Sequence, residues 1–333
     1  MRTAAAGLDL LPRLPLNPVV TALLPVPALA TALGGPALWM KRDDLIPFAF
    51  GGNKVRGLEL IVADAVRTGA DTLVTGAGPL SNHVRATAAA AAFAGLRLVA
   101  VYWGDAPRDL QANHRLTSLL GAEIHFTGET DRGSVDPALL RHADRVRAAG
   151  GRPYIIPRGG ACPLGVIAHL LAVREALAQC AGLRIAPERV VMAVGSGGTL
   201  AGWLLGSKLL GAPWRLEGFA VSRPAHETLQ RVLALAGAAA GQLDLPVRVD
   251  PGDVAIHDGF IGDGYGVPSP EGKAVLSLAA RRAGIFLDPT YTAKALAGYR
   301  ALAASGHYRG VDSVLFLHTG GAPALFVGDG AGA

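Results

Sequence analysis

Charged and aromatic side chains are scarce in this chain. Asp, Glu, Lys and Arg make up 17% of its 333 residues and Phe, Trp and Tyr 6%, while half of the residues are apolar. This composition excludes a disordered polyelectrolyte and leaves a chain able to bury a large core. Its length suggests about two domains. Cysteine is nearly absent, and Cys162 and Cys180 stand in no CxxC or metal-ligand spacing. Neither a disulfide framework nor a metal site is therefore legible, and a reducing cytoplasm is the expected setting. Unbroken apolar runs are missing too. Pro12, Pro15, Pro18, Pro25 and Pro27 interrupt the apolar N-terminal region, which argues against a signal-peptide core. No stretch reaches the roughly 18 unbroken apolar residues of a membrane span, so no membrane partner is expected. The net charge of +5 is scattered. Arg141, Arg145, Arg147 and Arg152 have the spacing of a solvated helix face without interleaved aromatics, which speaks against nucleic acid. A preference for small anionic molecules is compatible with this charge.

What is present is an alternation of short apolar runs with longer amphipathic or alanine-rich ones. Strands are expected at 37–41, 71–75, 97–102, 123–126, 153–156, 189–194, 216–221 and 313–317. Helices are expected at 57–68, 84–94, 110–120, 137–149, 164–180, 200–210, 271–283 and 293–305. Short apolar strands joined through helices imply βαβ units, a parallel sheet and an α/β fold. The alanine-rich run 234–240 reads as helix rather than tether, and the glycine-rich tail 328–333 as frayed.

Open α/β sheets bind ligands at the C-terminal ends of their strands, and three loops there carry chemistry. Gly195-Ser196-Gly197-Gly198-Thr199 joins a buried strand to a helix. Its glycines let backbone N–H groups turn inward beside a helix N-terminus, which suits a phosphate. It lacks the ending of a Walker loop, and Leu200 stands where a dinucleotide fingerprint has its third glycine. A tight turn capped by Thr199 is the plain alternative. Ser81-Asn82-His83 precedes an alanine-rich helix, either as an ordinary N-cap or as three polar groups facing a ligand. Lys54 follows Gly51-Gly52-Asn53 just before a helix. It is either a solvated lysine or one whose amine is desolvated toward a pKa of roughly 7–8, about 4 kcal/mol from its usual state. A phosphate cradle, a lysine amine and a polar clamp are together the parts that pyridoxal 5′-phosphate (PLP) requires.

The runs Lys41-Arg42-Asp43-Asp44-Leu45, Gly51-Gly52-Asn53-Lys54, Ser81-Asn82-His83 and Gly195-Ser196-Gly197-Gly198-Thr199 occur in that order. Tyr265-Gly266-Val267-Pro268, Leu287-Asp288-Pro289-Thr290-Tyr291 and Leu317-His318-Thr319-Gly320-Gly321 follow them. In this series the chain resembles the D-cysteine desulfhydrase and 1-aminocyclopropane-1-carboxylate (ACC) deaminase family. The resemblance implies a PLP enzyme of fold type II, like the tryptophan synthase β-subunit. Its two domains would have a three-layer αβα build with largely parallel sheets, residues 1–52 with 158–333 forming the larger and 53–157 the smaller. It further implies that Lys54 holds the cofactor and moves the α-proton, and that Asn82 lies beside the pyridoxal ring. Gly195, Ser196, Gly197, Gly198 and Thr199 would bind the phosphate, and Thr319 would sit near the ring nitrogen. Ser81, Tyr265 and Tyr291 would act on the substrate, with Asn82 and His83 among its contacts. The implied reaction is elimination on a small, D-cysteine-like amino acid by a cytoplasmic homodimer.

Thr292, Thr319 and His83 resemble the desulfhydrase branch more than the deaminase branch. Leu80, Ala161 and Cys162 depart from the family pattern, replacing polar residues, and leave the substrate open, as does Leu200. ACC deamination, racemisation or β-replacement on the same scaffold stays an alternative, as does PLP binding without catalysis. Trp39, Trp103, Trp203 and Trp214 read as core or interface, Cys162 as a buried apolar group, and His114, His125, His142 and His169 as carrying no chemistry.

Overall fold

The computed structural model of the chain describes residues 7, 8 and 10–327, so the glycine-rich tail lies outside the described residues. Ten strands and ten helices are named here in chain order. They run β1 (Leu23–Pro25), α1 (Pro27–Leu33), β2 (Ala37–Arg42), α2 (Lys54–Arg67), β3 (Thr72–Ala77), α3 (Asn82–Phe93) and β4 (Arg97–Tyr102). Then come α4 (Ala112–Leu119), β5 (Glu123–Phe126), α5 (Val135–Ala148), β6 (Pro153–Ile156), α6 (Pro163–Leu183), β7 (Arg189–Val194) and α7 (Gly198–Leu210). The last are β8 (Arg215–Ala220), α8 (Ala225–Gln242), β9 (Val254–His257), α9 (Pro270–Ala283), α10 (Thr292–Ala304) and β10 (Ser313–His318).

The strands form two sheets. Six run in the order β1-β2-β10-β7-β8-β9 and four in the order β5-β4-β3-β6. Every pairing is parallel except β1 with β2. The chain builds the larger sheet's edge, leaves for the whole smaller sheet, and returns.

Burial on both faces explains the continuous apolar strands. In β7, Val190, Met192 and Val194 face one core with α6, α7 and α8, while Val191 and Ala193 face another with α1, α9 and α10. The smaller sheet repeats this: Leu73 and Leu98 pack toward α2 and α3, and Val74, Val99 and Val101 toward α5. Each fully buried large apolar side chain contributes roughly 1.5–3 kcal/mol. The result is two αβα units. Helix α6 has the length and apolar character of a membrane span, but it lies in the larger core, packed on α7, α2 and α8.

Two sequence expectations need correction. Helix α2 begins at Lys54, so this lysine is its first residue rather than a loop residue before it. The elements β1, α1 and β9 were not expected, because proline flanks the first two and β9 has only four residues. The alanine-rich run is helical as expected, within the longer α8.

Candidate active site

The Lys54 amine is positioned from both of its flanks. Before it, Ala49, Phe50, Gly51 and Gly52 all have left-handed backbone, with φ of 47, 62, 63 and 101°. The two non-glycine residues cost of order 1–3 kcal/mol each. Buried Arg85 offsets this by donating to the carbonyls of Ala49 and Gly51. A Cβ on Gly52 would lie 3.0 Å from the Thr319 carbonyl, so only glycine lets these loops approach. After Lys54, Arg56 forks onto buried Asp43 at 3.0 and 2.8 Å and also donates to Glu175 at 2.9 Å. Lys41 joins the same carboxylate. Four charges from β2, the loop after it, α2 and α6 thus fix the helix that begins with Lys54.

The amine donates to the Gly159 carbonyl at 2.9 Å, with the Ser196 hydroxyl 3.5 Å away. Desolvation lowers its pKa from 10.5 to about 8, so a substantial neutral fraction exists near neutrality. Beside it, Gly197 enters α7 with φ of 92°. The first N–H groups of that helix have no intrahelical acceptor and are available to an anion. Asn53 donates to the Thr199 hydroxyl at 2.7 Å, and His169 Nε2 lies 3.2 Å from the same oxygen. Burial lowers the His169 pKa to about 3, so the ring is neutral. Its Nδ1 has no partner among the described residues. Leaving an acceptor unpaired is less unfavourable than orphaning an N–H donor. His169 therefore donates from Nε2, and the Thr199 hydroxyl proton is free to point into the cleft.

Opposite, Ser81 caps α3 by accepting from Val84 N at 3.3 Å, which leaves its hydroxyl proton free. Asn82 accepts from Asn113 at 2.9 Å, so its own amide N–H is aimed elsewhere. His83 is buried. Thr75 donates its proton to Ile156 O at 2.7 Å, so it accepts from His83 Nε2 at 3.0 Å. Burial, helped by Lys54, lowers the His83 pKa to about 3, leaving Nδ1 as an acceptor.

Tyr265 and Tyr291 meet hydroxyl to hydroxyl at 2.5 Å. Burial raises both pKa values, and mutual repulsion raises Tyr291 further. Both phenols are therefore protonated, and one proton of the pair is committed to the contact. Asp288 fixes Tyr291 by accepting from the backbone N–H groups of Thr290, Tyr291 and Thr292 at 2.8–3.0 Å, and from the Thr292 hydroxyl at 2.7 Å. The Thr292 hydroxyl is thus committed to Asp288, whose backbone N–H it also accepts at 2.8 Å.

Most of these groups share one cleft between the two sheets. Of the site residues expected from sequence, Lys54, Ser81, Asn82, His83, Gly195, Ser196, Gly197, Thr199, Tyr265, Tyr291 and Thr319 line it. Gly198 lines a small adjoining cavity together with His169. Residues missed from sequence are Asn113 and His169 behind the first layer, Trp103, and four arginines, Arg132, Arg158, Arg223 and Arg231. Trp103 is a correction: it lines the cleft with its ring 5.8 Å from that of Tyr265. Nothing around it in sequence signals this. Cys162 is partly buried against the smaller core, and burial raises its thiol pKa.

A family model described as "Pyridoxal-phosphate dependent enzyme" matches residues 15–320. The chain belongs to this family. Its relatives include the D-cysteine desulfhydrase of Salmonella choleraesuis (strain SC-B67), 41% identical over 323 residues and 95% of each chain. That of Klebsiella pneumoniae (strain 342) is 40% identical over 322 residues, again 95% of each. Among solved structures, an ACC deaminase homologue has a TM-score of 0.89 at 33% identity, covering 98% of this chain and 97% of that one. A PLP-dependent aspartate racemase, at 15% identity and a TM-score of 0.66 over 91% and 90% of the chains, shares the fold.

The residues present fit the family's cofactor. The enclosed amine of Lys54, the free N–H of Asn82 and the free O–H of Thr199 converge with the glycine loop on a single cleft. A Cβ on Gly195 would lie 2.9 Å from the Tyr291 ring, so this loop is bare where it faces the tyrosine pair.

Proposed function

We propose that this chain catalyses α,β-elimination on a small D-cysteine-like amino acid. Water is consumed, and pyruvate, ammonia and hydrogen sulfide are released. The observation that carries this reading is the Lys54 amine, desolvated to a pKa of about 8 and held within reach of both Gly159 and Ser196. Such an amine serves as nucleophile toward an aldehyde and as proton carrier at neutral pH. The desulfhydrase relatives give the substrate class.

PLP, when bound, supplies the electron sink that makes the α-proton removable. Lys54 would hold it through its amine and would take the proton from the substrate Cα. The N–H groups of residues 195–199 and the Thr199 hydroxyl would hold its phosphate, Asn82 would donate to its ring oxygen, and the neutral Thr319 would partner its ring nitrogen. The Ser81 hydroxyl donates to the substrate carboxylate, while neutral His83 walls the pocket beneath it. The Tyr265–Tyr291 pair keeps a phenolic proton beside the departing sulfur. Residues 1–52 with 158–333 and residues 53–157 act as the two domains of a cytoplasmic homodimer.

The test is to record the visible absorbance of the purified holoenzyme, then to assay pyruvate and sulfide from D- and L-cysteine. The expected result is a visible cofactor band and release of both products, with band and turnover lost in Lys54→Ala. A band that survives in Lys54→Ala after borohydride reduction sinks the assignment of the lysine. Release of 2-oxobutyrate from ACC moves the chain to the deaminase reaction.

A further inference from the structure

Four arginines converge on the cleft from both sheets. Arg132 follows β5 and Arg158 follows β6, on the smaller sheet, while Arg223 follows β8 and Arg231 lies in α8, on the larger. All four line the cleft that holds Lys54, and all four are half-buried. Backbone carbonyls hold them in place. Arg132 donates to Ser222 O at 2.9 Å and Arg158 to Arg132 O at 2.8 Å. Arg223 donates to Gly195 O at 3.0 Å and Arg231 to Ser196 O at 2.7 Å.

Their charge is not balanced locally. Asp136 forks onto Arg158 at 2.8 and 2.5 Å, and Glu227 is near enough to favour the charged form of Arg223. Among the described residues, two carboxylates thus face four guanidinium groups, each with five donors and none able to discharge near neutrality. The imbalance is felt inside the cluster: burial, then Arg132, Arg231 and Arg158, lower the Arg223 pKa to about 10. The cofactor phosphate does not account for the set. Arg223 and Arg231 grip the glycine loop by its carbonyls, not by the amides that receive a phosphate, and the other two arginines come from the opposite sheet.

We propose that Arg132, Arg158, Arg223 and Arg231 form a receiving site for a second anionic group. The amino acids preferred by this cleft then carry a strong anion, such as a sulfonate, phosphate or carboxylate, at the end of the side chain. This rests on the reading that the cleft binds an amino acid at PLP, but not on that amino acid being cysteine.

The test titrates the holoenzyme with pairs that differ in the terminal anion, in both enantiomers: the near-isosteric aspartate against asparagine and glutamate against glutamine, and O-phosphoserine against serine. The shift of the visible cofactor band gives each Kd. In at least one pair the anionic member binds about tenfold tighter or more, a preference that added salt reduces. Arg132→Gln and Arg158→Gln lose the preference and retain PLP on dialysis, whereas Arg158→Lys, which keeps the charge, preserves it. The Lys variant decides the matter if the Gln variants do not fold. Equal affinity within every pair overturns the proposal. So do Gln variants that shed PLP yet keep the preference, since the arginines would then serve the cofactor. A band that answers D-cysteine but no anionic amino acid sinks this proposal alone. A band that answers no amino acid sinks this proposal and the elimination reading with it.

Discussion

Asn53 donates its side-chain amide to the Thr199 hydroxyl across 2.7 Å, tying the residue before Lys54 to the last residue of the glycine loop. The amine and the phosphate cradle therefore keep a common distance. Removing one partner of a buried hydrogen bond costs about 1–3 kcal/mol. Asn53→Ala is expected to weaken PLP retention by that amount, as measured by equilibrium dialysis. A wild-type dissociation constant would show that the bond does not set the spacing.

Lys54 supplies a pH signature. Its pKa lies at about 8 against the usual 10.5, so it loses its proton well before surface lysines do as pH rises. Trace acetylation of the cofactor-free protein, followed residue by residue by mass spectrometry, should show Lys54 labelling rise through half-maximum near pH 8. Labelling of Lys54 that is still far from its plateau well above pH 8 contradicts the desolvated amine.

The tyrosine pair invites a comparison of two single variants. Tyr291 is anchored by the Asp288 clamp, while Tyr265 packs beside Trp103. Proton transfer by a positioned group contributes typically about 10²–10⁴-fold. Tyr291→Phe is expected to lower kcat by roughly 10²-fold or more with little change in the cofactor band. Tyr265→Phe, which leaves Tyr291 with its hydroxyl, should cost less. Equal and small losses would place the proton elsewhere.

Stability should turn on the charges behind the site. Breaking a buried ion pair from one side is strongly destabilising, by about 3–5 kcal/mol. Asp43→Ala leaves Arg56 only Glu175 as a carboxylate partner and is expected to lower stability toward the low end of that range in urea unfolding, whereas Asp43→Ala combined with Arg56→Met should recover part of the loss. The same network sets an acid limit. Burial would raise the Glu175 carboxyl, but Arg56 and Lys41 outweigh it and hold it at about 2, against 4.5 ordinarily. Its contribution is present above pH 4.5 and is lost as pH falls toward 2. Glu175→Gln should flatten this part of the acid-unfolding profile.

The strands of both sheets were legible to within two residues wherever they are buried on both faces, because continuous apolar runs such as Val190-Val191-Met192 have few other uses. Three-residue β1 and four-residue β9 were not, although β5 and β6, edge strands of four residues, were. The glycine loop, Lys54 and the Ser81-Asn82 turn were legible because each departs locally from what a plain element needs. Trp103, His169 and the four arginines were not, because each looks ordinary in its own segment and only the packing of two sheets brings them together.

The chain crosses between the sheets twice, once just before Lys54 and once just after β6. The bond from the Lys54 amine to the Gly159 carbonyl joins the two crossings. A single hydrogen bond therefore staples the two strands of chain that connect the sheets, and the nitrogen that makes it is the same one the chemistry needs.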